Sequence, residues 1–252
     1  MTAVLSDAVF IAFTIFCRVG SCLMLVPGYA SARVPVQVRL QIAFAVSLAL
    51  IPLLFESVAS AVAPVDMGLR PFLLVNEVIS GSAIGLMARL YLLGLQFAAT
   101  IAANSIGLAG IPGVPIDESE AVPPLATLLS LAGVMVLLAA GLHVEILRAL
   151  IESYRALPIH LGIDVEWLLD TVIKVVTDSS MMALRLAGPF LVYAVVVNLA
   201  MGLANKFTPQ VSLFFASLGL VTGAGLLVMF VIVPQWLSVF LDYYNNWLIG
   251  HI

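Results

Sequence analysis

Five stretches of the chain contain no Asp, Glu, Lys or Arg: Leu40–Phe55, Leu90–Ile116, Leu125–His143, Leu186–Asn205 and Phe207–Leu241. A helix needs about 20 predominantly apolar residues to cross the hydrocarbon core of a bilayer, and any backbone in lipid must satisfy its own hydrogen bonds. These runs therefore read as membrane helices. With the apolar segments around Cys17 and Glu77 they give about six candidate spans. The charged fraction of 10% and mean hydropathy of +1.18 agree, since soluble domains carry about 25% charged residues. A net charge of −4 with scattered basic residues leaves no footprint for nucleic acid.

One uncharged run is interrupted by residues that cannot continue a helix. In the segment Asn104–Pro124, Gly107, Gly110 and Gly113 alternate with Pro112 and Pro115, and Pro123-Pro124 close it. Its first half is apolar through Ile106, Leu108, Ile111, Val114 and Ile116; only Asp117, Glu118 and Glu120 suit water. Irregular apolar backbone at membrane depth is tolerated only when it is buried in protein or lines a cavity. The loop is thus either a constriction inside a pore or a packed connecting loop.

The other segments follow in order. Ala8–Val26 reads as a first helix with Arg18 at mid-span and Pro27-Gly28 at its end. It lacks a basic n-region and carries Asp7, which favours a retained helix over a cleaved signal. Cys17 and Cys22 point about 140° apart on that helix, so they read as unbridged buried thiols. Leu40–Phe55 is a short second span before a polar turn at Glu56–Arg70. From Pro71 onward, Glu77, Gly81, Gly85 and Arg89 share one i+4 row, a small-residue stripe bounded by charges that lets helices approach closely. Glu77 and Arg89 are roughly 18 Å apart on a straight helix, so each needs a partner elsewhere. Arg18 is the candidate for Glu77, either as a structural ion pair or in proton or gating work.

Beyond the loop, Pro123-Pro124 suit the first turn of a span at Leu125–Leu142. Glu145, Arg148, Glu152 and Arg155 then form one charged face opposite Ile146, Leu150 and Tyr154, until Pro158 stops the helix. Asp164 can cap a helix in which Glu166, Asp170, Lys174 and Asp178 form another row. If that helix runs unbroken through Arg185 and Pro189 to Asn205, it is about 60 Å long, twice the hydrocarbon thickness. It either breaks or extends beyond the bilayer. The last run carries Gly219, Gly223, Gly225 and Pro234 and finishes among Trp236, Tyr243, Tyr244 and Trp247, an interfacial aromatic belt. Basic residues do not assign an orientation under simple alternation.

Enzyme fingerprints are absent: there is no H-E-x-x-H, G-x-S-x-G, Walker A, Rossmann or C-x-x-C pattern. His143 and Glu145 lie on different helix faces, and His160 and His251 are isolated, so no metal or other cofactor is expected.

Several elements in order resemble the FliR/SctT family of type III secretion export-gate proteins. They are Phe16-Cys17-Arg18-Val19-Gly20, Pro27-Gly28, Glu77/Gly81/Gly85, the loop at Gly107–Pro124, Gly141-Leu142-His143 and, above all, Gly202–Gln210 with Asn205, Lys206, Pro209 and Gln210. The resemblance covers nearly the whole chain and implies an all-α integral membrane protein of kinked helical hairpins. Residues 1–180 would be a FliP-like portion and residues 181–252 a FliQ-like hairpin. It further implies a hetero-oligomer with FliP-like and FliQ-like subunits in the bacterial inner membrane, at the flagellar basal body, working with FlhB- and FlhA-like proteins. That assembly would pass unfolded flagellar substrates. Loop 104–124 would be the plug, with Ile106, Gly107, Leu108, Gly110, Ile111, Pro112, Gly113 and Pro115 as gate residues. Asn205, Lys206, Pro209, Gln210, Gly81 and Gly85 would serve assembly, and Arg18, Glu77, Arg89 and Arg185 would be intramembrane charges. Alternatives are the equivalent subunit of a virulence injectisome, or an ion-coupled transporter using Glu77 and Arg18, although no internal repeat of the transporter kind is evident.

Overall fold

The computed structural model describes residues 2–31, 34–108, 122–157, 159, 164–207 and 213–250, with backbone alone at 2–5 and 213–217. The described residues form seven α-helices and one short 3-10 helix, with no strand among them. The helices are α1 (Thr2–Leu23), α2 (Val36–Val62), α3 (Arg70–Ser105), α4 (Pro124–Ala139), α5 (Leu142–Ala156), α6 (Val165–Phe207) and α7 (Leu213–Gly250). Five of them are long and apolar enough to cross a membrane, or six if α4 and α5 count as one broken span. The chain is an all-α integral membrane protein.

The helices are longer than hydropathy alone indicates. Helix α2 continues through Pro52 and past Glu56 to Val62, so the expected polar turn starts later. Glu56 is exposed, and the small residues after it suit a helix, so nothing stops the chain there. Helix α6 is unbroken over 43 residues, Pro189 included, which is about 65 Å at 1.5 Å per residue. Of the two alternatives for this stretch, continuation rather than a break is observed. Its start is capped as its sequence indicates: the Glu166 and Trp167 amides both donate to Asp164 Oδ1 at 3.1 Å.

Two compact units divide the chain. The first comprises Met1–Leu90, Ala140–Thr177 and Tyr244–Ile252. In it α1 packs on α2, with Phe16 meeting Phe44 edge-on at 6.2 Å, and α3 lies against α1 along Gly81 and Gly85. Helix α5 completes this core with Leu142, Ile146, Ala149, Leu150, Ser153 and Tyr154 inward, while Glu145 and Arg148 pair outside at 2.8 Å. The second unit comprises Tyr91–Ala139 and Asp178–Tyr243. Its close approaches are also made at glycines: Gly94 of α3 against the Ser179 carbonyl of α6, and Gly133 of α4 against Leu95 of α3. Between α4 and α5 the chain turns at Gly141, whose φ of 75° lies in the left-handed region that glycine adopts without strain.

Candidate functional site

The polar centre of the first unit grows from two charges placed where lipid-exposed helix could not hold them. Arg18 and Glu77 are each 1% exposed. Arg18 Nε donates to Glu77 Oε2 at 2.7 Å and Nη2 to Oε1 at 2.6 Å, a fork-to-fork pair. The remaining side of the guanidinium is filled by α5 and the residue after it. Nη1 donates to Ser153 Oγ at 3.2 Å and Nη2 to the Leu157 carbonyl at 3.0 Å, while the Tyr154 ring centroid lies 4.0 Å from the charge. Ser153 Oγ in turn donates to the Leu150 carbonyl at 2.6 Å. The cluster thus ties α1, α3 and α5 at one point.

Glycines set the distance that makes this pairing possible. A Cβ at Gly81 would strike the Arg18 carbonyl and Ser21 Oγ, and one at Gly85 would lie 2.5 Å from the Cys22 carbonyl. Both fall on the row that begins at Glu77, one and two turns on, so the stripe holds the α1 and α3 backbones close enough for the fork to close. A void of about 10 Å³ beside Ser80 and Ser153 has room for about one water. The cluster is buried, and no group of metal-ligating residues occurs among the described residues.

In the second unit, the α3 end of the Gly/Pro loop is held against α7. Helix α3 ends at Ser105, and Ile106, fully buried, sits against Gly225 of α7 so closely that a Cβ on Gly225 would overlap it. Gly107 follows with φ +83°, and a Cβ there would lie 3.5 Å from Leu218 Cδ1 and Thr222 Oγ1 of α7. The Gly107 amide closes the turn by donating to the Asn104 carbonyl at 3.2 Å. At the far end α4 begins at Pro124, and the Thr127 amide donates to the Pro123 carbonyl at 3.2 Å. Pro in the first helical turn leaves no donor wanting.

Of the other residues singled out in the sequence, Leu108 is half-buried and Arg89, Arg185, Asn205 and Lys206 are exposed. Arg89 makes no ion pair among the described residues. Arg185 lies 5.8 Å from the Tyr243 ring centroid. Gly110, Ile111, Pro112, Gly113, Pro115, Pro209 and Gln210 lie outside the described residues. Sequence reasoning missed Ser153, Tyr154 and Leu157 as partners of Arg18, although a serine on the apolar face of α5 was a signal. It noted the glycines of α7 without finding Ile106 as the occupant of one of them.

Membrane helices longer than a bilayer span, with a buried ion pair joining two of them, define a membrane-embedded helical protein. The family model described as "Bacterial export proteins, family 1" matches residues 9–247, and the chain belongs to that family. It is similar to the flagellar biosynthetic protein FliR of Caulobacter vibrioides, 28% identical over 223 residues that cover 88% of each chain. The FliR of Aquifex aeolicus is 27% identical over 221 residues, covering 86% of this chain and 83% of the other. That of Escherichia coli is 24% identical over 221 residues, covering 86% and 82%.

Proposed function

We propose that this chain is a core subunit of the flagellar type III protein export gate. In this reading it forms, with FliP-like and FliQ-like subunits, the channel by which unfolded flagellar proteins cross the bacterial inner membrane at the flagellar basal body. The observation that carries it is the match to proteins named FliR along most of both chains. These relatives are flagellar, which favours the flagellum over an injectisome. Residues 1–180 are assigned as the FliP-like portion and 181–252 as the FliQ-like hairpin, with the junction inside α6. FlhB- and FlhA-like export proteins are the further partners.

Loop 104–124 acts as the plug. Supporting this are the seat of its α3 end against α7 and its apolar first half. A nonpolar constriction excludes ions because a hydrated ion is costly to strip, and Gly107, Gly110 and Gly113 give the loop freedom to swing aside for an arriving polypeptide. The burial of Arg18 and Glu77 against each other speaks against the ion-coupled transporter, whose ionisable groups must be reached from water. Arg18 and Glu77 are read as a structural clamp.

Gentle purification of the tagged protein from its native membrane, followed by native mass spectrometry, tests the assembly. FliP-like and FliQ-like subunits are expected to remain bound, and a stable homo-oligomer without them would return the transporter reading. Deleting Gly107–Gly113 tests the plug: cells are expected to leak ions and grow poorly, and an intact ion barrier would sink it.

A further inference from the structure

The uncharged runs of α6 and α7 stop at Arg185 and at Asp242, and both residues line one cleft of about 380 Å³ together with Pro189, Gln235, Trp236 and Tyr243. Where such runs end among Trp and Tyr is where hydrocarbon gives way to headgroups. Both charges are exposed, yet they do not pair with each other or with any other described residue. Arg185 instead rests 5.8 Å from the Tyr243 ring centroid. Trp236 is 2% exposed, held edge-on against Phe190 at 5.4 Å, and its buried indole Nε1 has no acceptor. Pro189 has no N–H to offer the Arg185 carbonyl. The cleft therefore presents a strong cationic donor beside a carboxylate.

Groups of both signs in one small interfacial volume call for a ligand that itself carries both. We propose that this cleft binds the headgroup of a phospholipid of the zwitterionic ethanolamine class. The phosphodiester oxygens accept from Arg185, and the ammonium, two carbons away, donates to Asp242. An anionic glycerol headgroup would satisfy Arg185 but leave Asp242 unpaired and repelled. A partner helix, about 10 Å across, would fill this volume within roughly one turn, whereas small-ligand sites begin at about 300 Å³. The site is independent of the gate reading and requires only that the chain sits in a membrane.

The test uses the full chain purified with its bound subunits, stripped of lipid by mild detergent exchange. Phosphatidylethanolamine or phosphatidylglycerol is then added and retention read by native mass spectrometry. Wild type is expected to retain phosphatidylethanolamine in preference, Arg185→Gln to lower retention of both about tenfold, the loss of one charge-assisted contact worth roughly 1.4 kcal/mol. Asp242→Asn is expected to abolish the preference while leaving binding. Soluble glycerophosphoethanolamine competing as well as the lipid would still place the headgroup here. Unchanged retention in Arg185→Gln, or a photocrosslinker at Val239 capturing polypeptide in place of lipid, overturns the proposal.

Discussion

Replacing Glu77 by Gln is expected to destabilise the protein by about 3–5 kcal/mol, the range for removing one partner of a buried ion pair. Arg18 would keep its charge in a site only 1% exposed, with Ser153 and the Leu157 carbonyl as its remaining acceptors. Neither neutralises it. Arg18→Met should be comparably damaging, because it strands the Glu77 carboxylate and removes the donor of the Leu157 carbonyl. The informative variant is the double, Arg18→Met with Glu77→Met. Buried ion pairs exchanged for apolar residues of similar volume are often neutral or stabilising, so the double should accumulate in the membrane better than either single variant. The check is membrane abundance together with the thermal midpoint in detergent. A double variant no more stable than the worse single variant would mean the two residues do not act as a pair. Motility supplies a second reading: a stable double variant that still exports is a clamp restored by packing, whereas a stable one that fails has lost a function of the charges.

How much of this cluster could be read from the chain depends on how far apart its members lie. The row Glu77, Gly81, Gly85 announces a close helix contact by itself, because small residues at i+4 spacing have few other uses in a membrane helix. A buried Arg18 demands a carboxylate, and Glu77 was the candidate within an apolar segment. Ser153 and Leu157 were out of reach because they sit 135 and 139 residues from Arg18. The carbonyl of a helix C-cap leaves no mark in the sequence. Boundaries were misjudged for a physical reason too. Glu56 was read as the end of α2 because charge usually marks the membrane edge, but helix needs only hydrogen bonds and continues into water when nothing breaks it. Pro189 similarly removes one backbone donor from α6, a loss that 43 residues of helix absorb. Gly and Pro spacing marked an irregular loop, and the plug reading came from the family resemblance. The seat of that loop on α7 involves Gly225, which marks a close approach without naming what approaches.

That seat gives the second large effect. Gly225→Val places a branched side chain where Ile106 already stands fully buried, and overpacking of this kind costs about 1–3 kcal/mol. The strain falls on the junction between α3 and the loop, since Ile106 is the last residue before the Gly107 turn and has α7 on its other side. Spent wholly on opening the loop, that energy shifts the ratio of open to closed states by roughly five- to 150-fold. If loop 104–124 is the proposed plug, the expected result is a cell that leaks ions at rest, seen as a lowered membrane potential when the variant is overproduced, with normal amounts of protein in the membrane. A size exchange then separates the seat from general damage. Adding Ile106→Ala to Gly225→Val returns volume to the same contact and is expected to recover most of the barrier. Ile106→Ala alone leaves a cavity and should loosen the stem with a smaller leak. If Gly225→Val holds its barrier while the protein is present at wild-type level, the contact of Ile106 with α7 is not what would keep the proposed plug closed.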